Sequence, residues 1–167
     1  GEIPTPDGLT MYIVVAGTLF NRAGNAYLDE HANPWDDKDV RLARLAMAAV
    51  ELARGVPALK WKPEVLHLND WPGALAAGYL DWQQVAVPSI LTIHNLAYQG
   101  LFGRDRLNRL AIPGEAFAMD GVEFHGKISF LKAGSYYASQ ITTVSATYAR
   151  EITTPEFGCG LDGLLRL

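Results

Sequence analysis

Four short apolar runs divide this chain, and the stretches between them repeat apolar residues every three or four positions. Residues 11–15 (MYIVV), 65–69 (VLHLN), 89–94 (SILTIH) and 141–144 (ITTV) are brief and rich in β-branched side chains, which predicts buried-type strands. Asp36 or Asp37 is placed to cap a helix that runs to about Arg54 and closes at Gly55, with Leu42, Leu45, Ala46, Ala49, Leu52 and Ala53 on its buried face. Residues 74–82 form a short Ala-rich helix able to pack closely on a sheet. Residues 127–139 form a third helix, with Ile128, Leu131, Ala133, Tyr136 and Tyr137 apolar, and Ser145 caps a fourth over 146–152. Strand and helix therefore alternate, which predicts an α/β fold with a Rossmann-like parallel sheet flanked by helices. Residues 1–9 read as an arm or turn, 20–34 as a long functional loop, and 97–123 as irregular chain with short helices. No linker divides the sequence, so residues 1–167 are expected to form a single domain.

Polar residues begin abruptly where two of these runs end. The run at 65–69 passes into Asp70-Trp71-Pro72, and the run at 89–94 ends on His94-Asn95. Open α/β sheets bind ligands at the carboxyl ends of their strands, so Asp70 and His94 are expected on one rim. Asp70 reads either as a polar group of a site or as the N-cap of the following helix, and the two roles are compatible. Pro72 supports the cap, since proline is tolerated in a first helical turn. His94 reads as a substrate contact, against the alternative of a buried histidine satisfied by backbone. His67, two residues before Asn69, reads as an interior histidine bonded to a neighbouring loop. Tyr27, Trp71, Tyr98 and Phe102 fall in loops or at element ends. Aromatic faces there can stack on sugar rings, although simple anchoring fits Trp71 and Phe102 better.

Composition removes several alternatives. The formal charge is −4 and the basic residues are scattered, with Arg104, Arg106 and Arg109 the one local cluster; neither a nucleic-acid partner nor an anionic membrane surface is indicated. No apolar run is long enough to span a membrane, and the start carries no signal-peptide pattern. The one cysteine, Cys159, excludes an internal disulfide and a multi-cysteine metal site, and fits a reducing compartment. No metal is expected, because His67, Asp70, His94 and His125 lack ligand spacing. No Gly-x-Ser-x-Gly elbow supports a serine nucleophile. Residues 158–163 (GCGLDG) match the dinucleotide fingerprint in letters, but no strand precedes them and no acidic partner follows; a flexible hinge is the expectation there.

Taken together, LHLNDW at 66–71, PSILTIHNLAYQGLF at 88–102, GKISFLKAG at 126–134 and ITTVSATYAREI at 141–152 resemble the bacterial glycogen synthase and plant starch synthase family, with a weaker echo in LFNRAGNAY at 19–27. The resemblance runs from about Tyr12 to the last residues. It implies a retaining glucosyltransferase of the GT-B fold, moving glucose from ADP-glucose to the non-reducing end of an α-1,4-glucan without a metal or other cofactor. It further implies that His94 lies against the transferred glucose, that Asp70 and Tyr27 line the sugar cleft, and that Asn95, Tyr98 and Gln99 shape the same wall. The sequence departs from the family pattern at Asn21, Ala23 and Pro72. It lacks the Lys-x-Gly-Gly-Leu loop and the C-terminal domain that holds the nucleotide. The chain is therefore expected to be a partial N-terminal, acceptor-side domain, inactive when isolated and open to self-association through uncovered core. Its expected setting is the bacterial cytoplasm, or the plastid if it comes from a plant. A non-catalytic glucan-binding or regulatory module is the alternative.

Overall fold

The computed structural model describes residues 2–167, which divide into two compact units with a boundary after Arg41. In the first unit, β1 (Glu2–Pro4) and β2 (Thr10–Tyr12) form an antiparallel hairpin with Ile3 opposite Met11. This corrects the expected buried strand over 11–15, since Met11 is 52% exposed and Val15 81%. The reason is local. The Thr5 carbonyl accepts the Gly8 N–H, and Gly8 takes φ +84, so the chain folds back on its own first residues instead of joining a parallel sheet. After the short helix α1 (Gly17–Phe20), the loop is densely bonded. The Asn25 carboxamide oxygen accepts the N–H groups of Tyr27 and Leu28, and Asp29 Oδ1 accepts those of His31 and Asn33. The Arg22 and Arg41 guanidinium groups lie over Trp35 at 4.2 and 4.9 Å, and the Asp37 carboxylate pairs with Arg22.

Helix α2 (Lys38–Arg54) has the expected bounds, and Gly55 after it adopts φ +100. Its buried stripe is Leu42, Ala43, Ala46, Val50 and Ala53. Leu45, expected on that face, is 46% exposed, because it lies about 100° around the helix from Ala46.

The second unit is built on a three-stranded parallel sheet in the order β3 (Leu66–Asn69), β4 (Ser89–Ile93), β8 (Gln140–Thr143). Leu68, Leu91 and Ile93 face the core on one side. On the opposite face Ile90 and Thr92 are half-buried and His67 is exposed, which corrects the interior placement of His67. Its Nε2 lies 2.6 Å from Thr92 Oγ1, which is 2.7 Å from Thr142 Oγ1, so the histidine heads a row of hydroxyls across the strands.

Helix α3 (Asp70–Trp82) begins directly at the end of β3, four residues before the apolar pattern starts. It packs on α4 (Phe130–Tyr137) through small residues. A Cβ on Gly134 would stand 2.6 Å from the Ala74 Cβ. The helix expected over 127–139 starts late, because Lys127–Ser129 is β7, the central strand of an antiparallel sheet with β5 (Leu101–Gly103) and β6 (Glu123–Phe124). His125 at φ +49 and Gly126 at φ +78 make the tight turn that a helical pattern conceals. Ser129 then caps α4, its hydroxyl accepting the Lys132 N–H at 3.1 Å. Ser129→Ala is expected to cost about 1 kcal/mol, measured as a lower midpoint in urea with an unchanged slope.

Lys132 is buried, its ammonium donating to the carbonyls of Met119 and Glu123. Burial pushes its pKa down, and the charges of Glu123 and Asp120 oppose that shift. Tyr79, also buried, donates its hydroxyl to the Leu110 carbonyl. The irregular stretch between β5 and β6 is thus tied to the helical layer at two points. Trp71 and Phe102 anchor rather than line a surface: with Phe130 they form one aromatic cluster, and Gly100 sits so close that a Cβ would stand 2.3 Å from the Trp71 ring.

Helix α5 (Ala146–Ile152) starts at Ser145, whose hydroxyl accepts the Tyr148 N–H as the sequence indicated. The segment over 158–163 is a bonded turn rather than a loose hinge. Gly158 donates to the Thr154 carbonyl, Leu161 donates to that of Gly158, and α6 (Asp162–Leu165) follows. No strand leads into it, so the dinucleotide reading stays rejected.

Candidate functional site

Strands β3 and β4 run in parallel with Asn69 opposite Thr92, so their carboxyl ends deliver Asp70 and His94 side by side. The two residues touch. His94 Nδ1 lies 2.9 Å from Asp70 Oδ2. Asp70 Oδ1 accepts the His94 backbone N–H at 2.7 Å and that of Asn95 at 3.4 Å. The carboxylate therefore holds both the imidazole and the strand end that carries it.

Asp70 does not cap its own helix, which corrects the cap reading. The cap position of α3 is Asn69, without a side-chain cap bond, and Asp70 adopts φ +51. Left-handed backbone is uncommon for a residue with a Cβ, although aspartate tolerates it better than most. Here it goes with a strand that turns straight into a helix while the carboxylate serves the neighbouring strand.

The ring nitrogen beside the carboxylate carries the proton, and Nε2 points away on the opposite side of the ring. His94 is 49% exposed and Asp70 29%, so the pair is open to a ligand on one side and supported on the other. The buried, backbone-satisfied alternative for His94 does not hold.

The wall beyond His94 is fixed by its own bonds. Asn95 Oδ1 accepts the Ala97 N–H at 3.0 Å, and the Tyr148 hydroxyl accepts the Leu96 N–H at 2.9 Å. The Tyr98 ring is 66% exposed on this turn. Gln99 is only 7% exposed, and its amide donates to the Cys159 carbonyl at 2.9 Å. The Gln99 backbone carbonyl accepts the Leu131 N–H at 3.1 Å. Gln99 thus braces the wall from behind instead of presenting its side chain to the rim. Asp70, His94, Asn95 and Tyr98 come together in the second unit. Tyr27 lies in the first unit, 46% exposed on the turn that Asn25 holds.

Sequence reasoning passed over Tyr148. Its signal is positional: it sits on the helix that follows β8, three residues after the capping Ser145, where a side chain can reach back to the strand ends. Among the described residues, no three of His, Cys, Asp or Glu are grouped to hold a metal ion. No helix among them is long and apolar enough to cross a membrane.

Comparison with known proteins gives one answer. The chain is 55% identical to Glycogen synthase 1 of Bradyrhizobium diazoefficiens over all of its length and 36% of that protein's. It is 52% identical to the glycogen synthase of Pseudomonas putida over 99% of its length and 32% of the other's. It therefore spans about a third of these relatives. Among solved structures it resembles the catalytic domain of Starch Synthase IV from Arabidopsis thaliana, bound to ADP and acarbose, with a TM-score of 0.69 and 26% identity over 80% of this chain and 28% of that one. Residues 2–167 match the family described as the starch synthase catalytic domain, and on that match the chain belongs to this family of glycosyltransferases.

Proposed function

We propose that this chain forms the acceptor side of a glucosyltransferase that moves glucose from ADP-glucose to the non-reducing end of an α-1,4-glucan, with retention at the anomeric carbon. The observation that carries the reading is the Asp70–His94 pair at the carboxyl edge of the parallel sheet. In such a transfer the bond from the anomeric carbon to the diphosphate breaks, and a bond to the acceptor 4-hydroxyl forms. Positive charge develops on the sugar ring and negative charge on the leaving diphosphate. Asp70 supplies negative potential near the first of these. It also fixes the imidazole, so that His94 Nε2 meets a sugar hydroxyl in one orientation. Asn95 and Tyr98 complete the proposed sugar-binding surface of the second unit, and Tyr27 is proposed as a sugar contact of the first unit considered by itself. The names of the relatives support this choice of substrates, and the relatives are bacterial, which favours a bacterial cytoplasmic setting.

Among the described residues, the bonds of the Asp70–His94 pair join an acid, an imidazole and backbone N–H groups and include no lysine or arginine to balance a departing diphosphate. The 167-residue chain alone is therefore proposed to bind glucan without transferring glucose. Two measurements test this. Labelled glucose from ADP-glucose should not enter glycogen, and a rate near that of a full-length synthase would refute the inactivity. Maltohexaose should shift the backbone amides of residues 94–98, with the effect lost in Asp70→Ala. Unchanged rim shifts in that variant would remove the acceptor-wall reading.

A further inference from the structure

The turn that follows His94 is held from a direction that Asp70 does not reach. Asp70 Oδ1 accepts the backbone N–H groups of His94 and Asn95, and its grip ends there. The next N–H, that of Leu96, donates to the Tyr148 hydroxyl at 2.9 Å, across 52 residues of sequence. Within the turn, Ala97 donates to Asn95 Oδ1 at 3.0 Å and Tyr98 to the Asn95 carbonyl at 3.3 Å. These short-range bonds set the shape of the turn. Its placement on the sheet depends on the outside ties: Asp70 at its start, Tyr148 at Leu96 and the Gln99 amide at its far end.

The Tyr148 hydroxyl is itself carried on fixed chain. Thr143, the last residue of β8, pairs with Ile93, the last of β4, and its hydroxyl donates to the Ile93 carbonyl at 2.6 Å. Two residues on, the Ser145 hydroxyl accepts the Tyr148 N–H at 3.0 Å, and Ile152 anchors the other end of α5 in the core. The end of β8 and the first turn of α5 thus bracket the end of β4. Leu96 is only 1% exposed, so its N–H needs a partner from the protein. A phenylalanine at 148 would fill nearly the same space and leave that N–H unpaired.

We infer that Tyr148 is a positioning residue for the acceptor glucan. Through the Leu96 N–H it sets where Asn95 and Tyr98 stand, while Asp70 sets the state of His94. This division of labour rests on the glucosyltransferase reading of the rim, and it gives the two ties different signatures. Losing the Asp70 carboxylate changes charge and proton placement beside the reacting carbon. Losing the Tyr148 hydroxyl keeps both and lets the surface under the acceptor drift, which removes binding shared by ground and transition states.

Tyr148→Phe in the isotopically labelled chain is the test. The Leu96 amide should lose protection from hydrogen exchange, and maltohexaose, followed at the amides of residues 94–98, should bind about tenfold more weakly. The ring-nitrogen shifts of His94 should stay as in the parent. Ser145→Ala, which keeps the tyrosine but frees the first turn of α5, should weaken binding in the same direction and by less. In a full-length synthase containing this segment, Tyr148→Phe should raise KM for maltohexaose about tenfold and lower kcat by less than about threefold, the reverse of the split that losing the Asp70 carboxylate should give. A role in stability alone would lower the melting temperature and leave affinity and KM where they were, and that result overturns the inference. Weaker binding with Leu96 still protected overturns it too, since the tie would not be the cause. A changed His94 ring does the same, because the effect would then pass through the imidazole. A parent chain whose residues 94–98 ignore maltohexaose removes the rim reading and this inference together. A parent that binds, with a Tyr148→Phe variant that binds equally well, removes the inference alone.

Discussion

Asp70→Asn, assayed in a full-length synthase containing this segment, is expected to lower glucosyl transfer by about 10²–10⁴-fold while leaving the fold intact. The amide oxygen of asparagine can still accept the N–H of His94, which Asp70 Oδ1 accepts at 2.7 Å, so the strand end stays in place. The other position of the carboxylate, 2.9 Å from His94 Nδ1, becomes an NH2 group. Two donors then face each other. The imidazole must turn away or move its proton to Nε2, and in either case the nitrogen offered to the sugar changes character. The negative charge near the developing cation is lost in the same step. Because the lesion is electrostatic, kcat should fall much more than KM rises, and the melting temperature should move little. Asp70→Ala would combine this loss with two unpaired backbone N–H groups, at about 1–3 kcal/mol for each that remains buried. A full-length Asp70→Asn enzyme retaining more than a third of its kcat would remove Asp70 from the mechanism.

Gly134→Val is expected to have the largest effect on stability. A Cβ at this position would stand 2.6 Å from the Ala74 Cβ and 3.0 Å from the Ala74 backbone oxygen. Ala74 is fully buried, and the clash is partly with backbone, so no side chain can swing aside. The two helices would have to separate along their contact. Overpacking of this kind costs about 3 kcal/mol or more, equivalent to a fall of roughly 10 °C in melting temperature for a chain of this size. Gly134→Ala should show a smaller loss of the same sign. Since α3 carries Asp70 at its first residue, the valine variant should also weaken glucan binding at the rim. Thermal unfolding checks the first effect and the amide shifts of residues 94–98 the second. A valine variant as stable as the parent would show that α3 and α4 can slide apart freely.

Much of this architecture is legible without coordinates. Three of the four apolar runs became the parallel sheet, because β-branched residues in short runs bounded by turn formers have few other ways to be buried. Helix α2, with its Gly55 stop, and the Ser145 cap of α5 follow from residue chemistry that acts within one turn. The abrupt change from apolar to polar at Asp70 and His94 marked the rim for the same reason: a strand can be read up to the residue where it leaves the sheet.

Long-range partners were not legible. The pattern at 11–15 matches a core strand, yet a nearby turn gave it a local partner and exposed it. Residues 127–129 carry helical spacing, but two residues with positive φ just before them turn the chain back, and β5 and β6 recruit them as a strand. The carboxylate of Asp70 could cap its own helix or serve the next strand, and only the parallel register of β3 on β4, which sets its distance to His94, decided between them. The same holds for Gln99, drawn inward by a carbonyl sixty residues away. Local chemistry wrote the elements and their ends into the sequence, because those forces act between residues close along the chain. Which groups meet across the sheet and between the helices was decided by packing, because a side chain's partner there depends on every element between them.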